Sequence, residues 1–468
     1  MVLSGFTSQR VVLRTVFMLM SLLLGAPLRA QPADVAGTMP EDYLPELKQV
    51  LATALQRSPE TILRAFEVEL SQARLQIERS AQLPQLRGNF NYGMTETATA
   101  SNTSSKTRDN GFFYNFGLSQ EVFHWGALKN KSDAARLNVL IQDRSYVQAY
   151  RDLSVMLRRA YLALVVEKAR LRQGREALHL LDDDVAIAKA KKASGSISAA
   201  ELASEELRLR ESKLELDRAE TEFAANRARF ARLAGLPELP EDKLPAEIPR
   251  PAYSETRTVA MGAVLLRDHA KSTLEYEIYD LRVKEAELRE KVEKVRLLPK
   301  FGANIGYSLE NTTNVNGNIA EQRAVARQTI GIGGAWNIFD GFATRGAKRE
   351  ALAARRVIEQ RRAIDIEELL QRAQKLQRDL QLDAMQLELG DIHAGMAAEA
   401  RRRAGEEAGF GLIPKGEIKR AEIGILQAQA RNFEMRAAYL GHWAEFVAVA
   451  ADDPVLNNIP ARYAREKK

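Results

Sequence analysis

Not one of the 468 residues is a cysteine. That absence removes a disulfide framework, a cysteine-ligated zinc or iron–sulfur site, a thiol nucleophile and a lipid-modified cysteine behind a leader. Histidine is almost as scarce: His124, His179, His269, His393 and His442 are too scattered for a close-spaced metal motif. Aromatic residues are only 7% of the chain. Beyond the N-terminus there is no run of 18 apolar residues, which excludes a membrane-crossing helix from the mature chain. Catalytic signatures are missing too. Gly331-Ile332-Gly333-Gly334 lies in a strand-like segment and lacks the helix and acidic partner of a dinucleotide site, and no nucleophile stands paired with a base. The expected protein is not an enzyme and needs no cofactor and no metal.

What is present begins with a leader. Residues 1–30 carry Arg10 and Arg14, an apolar run over 16–24 and a small-residue end at Ala26 and Ala30, the three-part layout of a secretory signal cut after Ala30. Without Arg10, Arg14 and Arg29, 65 basic residues face 62 acidic ones. So even a balance, with Lys and Arg interleaved with Glu, argues against a nucleic-acid partner.

The chain then repeats itself. Leu83-Pro84-Gln85-Leu86-Arg87-Gly88-Asn89-Phe90-Asn91-Tyr92 recurs 215 positions later as Leu298-Pro299-Lys300-Phe301-Gly302-Ala303-Asn304-Ile305-Gly306-Tyr307. Past one added residue the offset is 216: Gly174 meets Gly390, Gly195 meets Gly411, and Leu202, Leu209, Leu216, Phe223 and Phe230 meet Ile418, Ile425, Asn432, Tyr439 and Phe446. Such a register marks two copies of one long unit. Residues 31–235 form repeat 1 and 256–451 repeat 2. A proline-rich linker over 236–255 separates them, and 452–468 is a C-terminal tail.

Within each copy the apolar period switches. Residues 43–82 and 256–297 read as helices ended by Leu-Pro. Period-two alternation follows, predicting strands at about 87–99 and 112–123, then at about 300–312 and 327–339. Ser/Thr/Asn-rich loops at 97–110 and 311–324 are expected between them. Phe90, Tyr92, Phe112, Tyr114, Phe116, Ile305, Tyr307, Ile330, Ile332 and Trp336 share the apolar phase, with Asn, Gly and Ser opposite. A soluble half-buried sheet or a transmembrane barrel would give this pattern. Length separates them: residues 112–123 span roughly 40 Å at about 3.3 Å each, and at a tilt near 40° cover about 30 Å, a hydrocarbon thickness. The apolar phase is therefore expected to face lipid. Four strands leave open edges that lipid does not tolerate. Eight strands from two chains would be nearly filled by their side chains, so three chains, giving twelve strands, form the smallest closed and conducting assembly.

The helices set a second length. Residues 128–192 hold no proline and would extend on the order of 100 Å. The chain turns at 194–199 and again at 409–416, and a helix returns from each turn. Leu202, Leu209, Leu216, Phe223 and Phe230 form a heptad seam. Leu207 and Leu214 mark a second line about 150° away. A helix with two seams has neighbours on both sides, as in the wall of a tube. At Gly174 and Gly390 the sequence leaves open a bend, a close helix contact or simple tolerance of one glycine. Glu201 and Glu417 follow the turns, as caps of the helix dipole or as a carboxylate ring that selects cations.

These features together resemble the TolC family of outer-membrane factors over nearly all of the mature chain. The likeness rests on Leu47-Lys48-Gln49-Val50-Leu51-Ala52-Thr53-Ala54-Leu55-Gln56-Arg57-Ser58-Pro59, on the Leu-Pro pairs before the first strands, and on Asn337-Ile338-Phe339-Asp340-Gly341. The resemblance implies a mainly α protein with transmembrane β structure: a homotrimer with a 12-stranded outer-membrane β-barrel continued by a periplasmic α-helical barrel. It implies a passive export duct in the outer membrane of a Gram-negative bacterium, serving efflux or type I secretion. Its partners would be outer-membrane lipid, a periplasmic adaptor and an inner-membrane pump. Gly195, Ser196, Ile197, Gly411, Leu412, Ile413 and Pro414 correspond to the family's docking tips. The acidic constriction of the family maps onto Glu417, with Glu201 as its counterpart in repeat 1, while the next acidic position is Arg420 here. The alternative from another class is a structural coiled-coil spacer or adhesin-like stalk without channel activity.

Overall fold

A computed structural model gives the fold and describes residues 39–99, 105–316, 319–450 and 452–459. The leader at 1–30 and most of the tail lie outside the described residues. Repeat 1 runs α1 (Pro40–Tyr43), α2 (Pro45–Arg57), α3 (Pro59–Ser80), β1 (Gln85–Thr99), β2 (Ser105–Phe123), α4 (Ala127–Ala193) and α5 (Ala199–Ala234). Repeat 2 runs α6 (Glu255–Arg267), α7 (Leu274–Lys294), β3 (Lys300–Asn316), β4 (Ile319–Ala335), α8 (Ala343–Gly409) and α9 (Lys415–Val449). Each copy thus has one helix of 67 residues, about 100 Å long. Shorter helices precede the sheet, three in repeat 1 and two in repeat 2, and one more follows each tip. Among the described residues no helix is long and apolar enough to cross a membrane.

The first helical stretch of each copy is broken, where a single helix is expected over 43–82 and 256–297. Pro45 and Pro59 each open a new helix at its first position, where the missing N–H costs nothing and φ is already set. In repeat 2 the break comes at His269 and Ala270, both with positive φ, before Thr273 caps α7 with its hydroxyl.

The four strands form one antiparallel sheet in the order β1-β2-β3-β4, so the β2–β3 ladder joins the two copies. The strands are longer than alternation predicts: β1 starts at Gln85, β2 starts at Ser105, β3 reaches Asn316 and β4 starts at Ile319. The expected loops are mostly strand. Alternation reports burial of one face, whereas these outer rows are held by backbone pairing and polar cross-strand partners such as Arg108 and Glu96, 3.4 Å apart. At the other end β4 stops at Ala335, paired with Lys300, and not at 339. Trp336 lies just beyond, its indole N–H donating to the Leu297 carbonyl at 3.0 Å.

The core lies halfway along the long helices. Leu47, Leu51 and Ala54 of α2, Leu153, Leu157 and Tyr161 of α4, Phe230 and Ala234 of α5, Leu376 and Leu380 of α8, and Leu440, Trp443 and Phe446 of α9 pack there. The proline-rich segment belongs to this core. Leu239, Leu244 and Ile248 are buried in it, and its carbonyls accept from Lys168, Arg227 and Arg436. A chain that proline keeps extended offers backbone acceptors which helices would have consumed, and these cationic side chains use them.

One buried cluster ties the ends of the fold to its middle. Arg158 of α4 is 0% exposed and clamps Glu41 of α1 and Asp453, with Nη1 to Asp453 Oδ2 at 2.6 Å and Nε to Glu41 Oε2 at 2.9 Å. Both carboxylates are engaged by two guanidinium nitrogens, the bidentate geometry that makes such pairs strong.

Candidate channel face and periplasmic tips

Cross-strand register decides which side chains share a face, because directly paired residues point the same way. Phe90 pairs with Tyr114, Tyr92 with Phe112 and Phe116 with Tyr307. Leu118 pairs with Ile305, Ile305 with Ile330, and Ala303 with Ile332. All nine candidate lipid-facing positions within the strands therefore lie on one face, continued past the end of β4 by Trp336. Ile330 and Ile332 are each 83% exposed in the single chain. An apolar face so open needs a covering medium. Phe90 and Phe116 meet edge to face at 5.9 Å. Beyond Tyr92 and Phe112 this face keeps Met94 but turns polar at Asn110, Thr313 and Gln322.

The opposite face is small and polar. Asn89, Asn115, Ser308 and Arg327 form one row, with Asn89 donating to Asn115 at 3.0 Å; Arg87, Gly117, Gly306 and Thr329 form the next.

Where the sheet meets the long helices, both copies use two consecutive left-handed residues at matched positions. These are Trp125 and Gly126 in repeat 1, and Gly341 and Phe342 in repeat 2, with φ of 54°, 77°, 61° and 69°. A bulky residue in that region is strained. Trp125 is held there by its indole N–H, which donates to the Pro299 carbonyl at 2.7 Å. Only the positions are legible in the sequence, since each copy spends its one glycine on a different member of the pair.

The tips are built alike. Gly195 and Gly411, with φ of 71° and 72°, end α4 and α8. Ser196 N–H returns to the Lys191 carbonyl at 2.8 Å and Leu412 N–H to the Glu407 carbonyl at 2.9 Å, the six-to-one closure that glycine permits. Side chains differ. In tip 1, Ser194 and Ser196 share a hydrogen bond at 2.9 Å and Ile197 is half-buried. In tip 2, Phe410 is 82% and Leu412 73% exposed, Ile413 is half-buried, and Pro414 precedes α9.

Glu201 and Glu417 occupy matched positions but make different contacts. Glu201 completes a capping box, accepting from Ser198 N–H at 2.6 Å while its own N–H donates to the Ser198 hydroxyl. That backbone hydrogen bond, with the hydroxyl's help, holds its carboxyl below the usual range. Glu417 pairs with Arg420, which also reaches Asp184 of α4 at 3.2 Å, while Lys419 pairs with Asp183. Sequence reasoning missed Asp183 and Asp184. The run Asp182-Asp183-Asp184 is a signal in itself, but its partners lie 236 positions away.

Gly174 and Gly390 mark close helix contacts. A Cβ on Gly174 would sit 3.3 Å from Leu216 of α5, and one on Gly390 3.0 Å from Asn432 and Met435 of α9. Leu216 and Asn432 are themselves equivalents at the 216 offset.

A single sheet with one apolar and one small-polar face, running into paired helices of this length, is the fold of TolC-family outer-membrane factors. The family model described as outer membrane efflux protein matches residues 50–236. Among solved structures, the Campylobacter jejuni CmeC outer membrane channel matches with a TM-score of 0.70 at 15% identity, covering 92% of this chain and 93% of that one. The Vibrio cholerae outer membrane protein VceC gives 0.60 at 16%, covering 88% and 97%. The open state of the Neisseria gonorrhoeae MtrE outer membrane channel gives 0.60 at 15%, covering 90% and 93%. Comparison with curated proteins gives no significant match. The family-model match is confined to 50–236, while the likeness in fold extends through both copies.

Proposed function

We propose that this protein is the outer-membrane channel of a tripartite efflux pump or type I secretion system: a passive homotrimeric duct whose tips dock on a periplasmic adaptor, itself joined to an inner-membrane pump. The observation that carries the reading is the open four-stranded sheet with one continuous apolar face. β1 and β4 end the sheet with unpaired edges, and each unpaired backbone group costs several kcal/mol in hydrocarbon. Closure by three copies removes every edge and leaves the small polar face around a lumen.

The helices support the same closure. Neighbours in the wall run α5, α4, α9, α8, and among the described residues the tip-side parts of α5 and α8 each keep an exposed apolar flank. On α5 the second seam, Leu207 and Leu214, is 57% and 51% exposed; on α8 Leu382, Met385, Leu389, Ile392 and Met396 are exposed at alternating spacings of three and four. Two different apolar seams on opposite flanks make a head-to-tail contact, which closes into a ring. Gly195, Ser196, Ile197, Gly411, Leu412, Ile413 and Pro414 then line one end of the tube and meet the adaptor.

Single-channel recording of the purified full-length protein in planar bilayers tests the duct. Stable conductance steps are expected, and repeated insertion of folded trimer without a pore would overturn the reading. Because the chain has no native cysteine, Leu207→Cys combined with Met396→Cys tests the ring cleanly. Oxidation should yield a three-chain species on a denaturing gel, and monomer alone would count against head-to-tail closure.

A further inference from the structure

Register on the small-polar face of the sheet places its charges in an order that neither the fold nor the export reading explains. From the helix end outward, the first positions hold Lys300, opposite Ala335, and Glu121, opposite Gly302. A row without charge follows, containing Ser119, Asn304 and Gly331. Then come Arg87 in the row of Gly117, Gly306 and Thr329, and Arg327 in the row of Asn89, Asn115 and Ser308. Glu310 follows opposite Phe113 and Val325, and Arg323 in the row of Gly93, Gly111 and Thr312. Only beyond these does the sign reverse, in a row holding Asp109 and Glu321.

We propose that Arg87, Arg327 and Arg323 form a cationic belt in the middle of the barrel lumen that binds and passes small anions, such as phosphate esters and carboxylates, in preference to cations. The proposal rests on the channel reading given above. Three arginines face one glutamate in each protomer, so the threefold assembly concentrates nine guanidinium groups against three carboxylates within four successive rows. Arg87 is hydrogen-bonded to the neutral Gln85 amide oxygen at 3.0 Å, which leaves its charge uncompensated. The other members of the three arginine rows are Gly, Asn, Ser and Thr, which leave room for the long side chains to reach into the lumen.

Magnitudes favour an effect on permeating ions. Twelve strands about 4.8 Å apart, tilted near 40°, give a backbone radius of about 12 Å. Arginines projecting inward leave no part of the belt's lumen farther from a guanidinium than the Debye length of about 10 Å at 0.1 M salt. At 1 M that length falls to about 3 Å, and the belt is screened. A ring of like charge in a pore is the usual device for selecting the opposite sign.

The test is the zero-current potential of single trimers of the full-length protein in a KCl gradient, recorded at low and at high salt. Arg87→Gln combined with Arg327→Gln is expected to lower chloride over potassium permeability severalfold at about 0.1 M, with the difference fading near 1 M. Glu310→Gln, which removes the one carboxylate of the belt, should shift the potential the other way and keeps the test decisive if the double variant fails to assemble. A potential unchanged by these substitutions in conducting channels would overturn the belt while leaving the duct intact. Absence of conductance in the unaltered protein would instead overturn the duct, and the belt with it.

Discussion

The two copies of the repeat reach the same backbone with different side chains. Both tips close on a left-handed glycine with φ within a degree of each other, both sheet–helix junctions spend two left-handed residues, and both long helices have 67 residues. Yet one tip is lined by serines and the other by Phe410 and Leu412, and one matched glutamate caps its helix while the other pairs with an arginine. The two halves share what the chain's path demands, namely positive φ where the path reverses and small residues where helices touch. They differ in chemistry where side chains are exposed.

The largest break in the comparison is at Arg158, whose equivalent at the 216 offset is Gln374. Only repeat 1 carries the buried clamp. Arg158→Met strands the buried carboxylate of Asp453 and that of Glu41, and should cost about 3–5 kcal/mol in chemical denaturation. Gln374→Ala, an alteration at the equivalent site without such a network, should stay within about 0.5 kcal/mol. Equal effects would mean that the clamp contributes nothing particular.

The paired glycines sharpen the comparison at a smaller scale. Gly390→Ala pushes a methyl to 3.0 Å from Asn432 and Met435. The expected outcome is a loss of about 1–2 kcal/mol, since overpacking outweighs the gain in helix propensity. At Gly174 the neighbour is the far end of Leu216 at 3.3 Å. That side chain can yield, so Gly174→Ala should be neutral or stabilising by up to about 1 kcal/mol. Thermal unfolding of the two variants side by side checks the difference.

The smallest expected effect is a pH dependence confined to repeat 2. His442 of α9 bonds Asp383 of α8 at 2.7 Å. That hydrogen bond raises the imidazole above its ordinary value, against partial burial and the nearby Arg159. A raised folded-state pKa contributes stability that is complete below about pH 6.5, the unfolded value. It is lost as pH rises through the folded value. The urea midpoint should therefore fall slightly from pH 6 toward pH 8, and His442→Gln should flatten that slope; a slope unchanged in the variant would assign it to other groups.

Much of the fold was legible because it repeats at periods a sequence displays. The 216 offset, the heptad of Leu202 to Phe230 and the alternation of Phe112 to Leu118 each follow from local geometry. What was not legible depended on residues far apart. Arg158 meets partners 117 and 295 positions away, and Lys419 and Arg420 meet Asp183 and Asp184 across the two copies. Leu239, Leu244 and Ile248 read as a linker because proline sets an extended backbone, while their burial depends on helices that only the fold brings near. The outer strand rows escaped notice for a different reason: with neither face apolar, the pleat leaves no alternation to find.

The Arg158 clamp gives the chain a test of its own completeness. Its two carboxylates come from opposite ends of the folded chain, Glu41 arriving first during synthesis and Asp453 more than four hundred residues later. A product truncated before Asp453 would bury its guanidinium half-compensated at the very centre of the core. The arginine that stabilises the whole chain would thereby destabilise a shortened one.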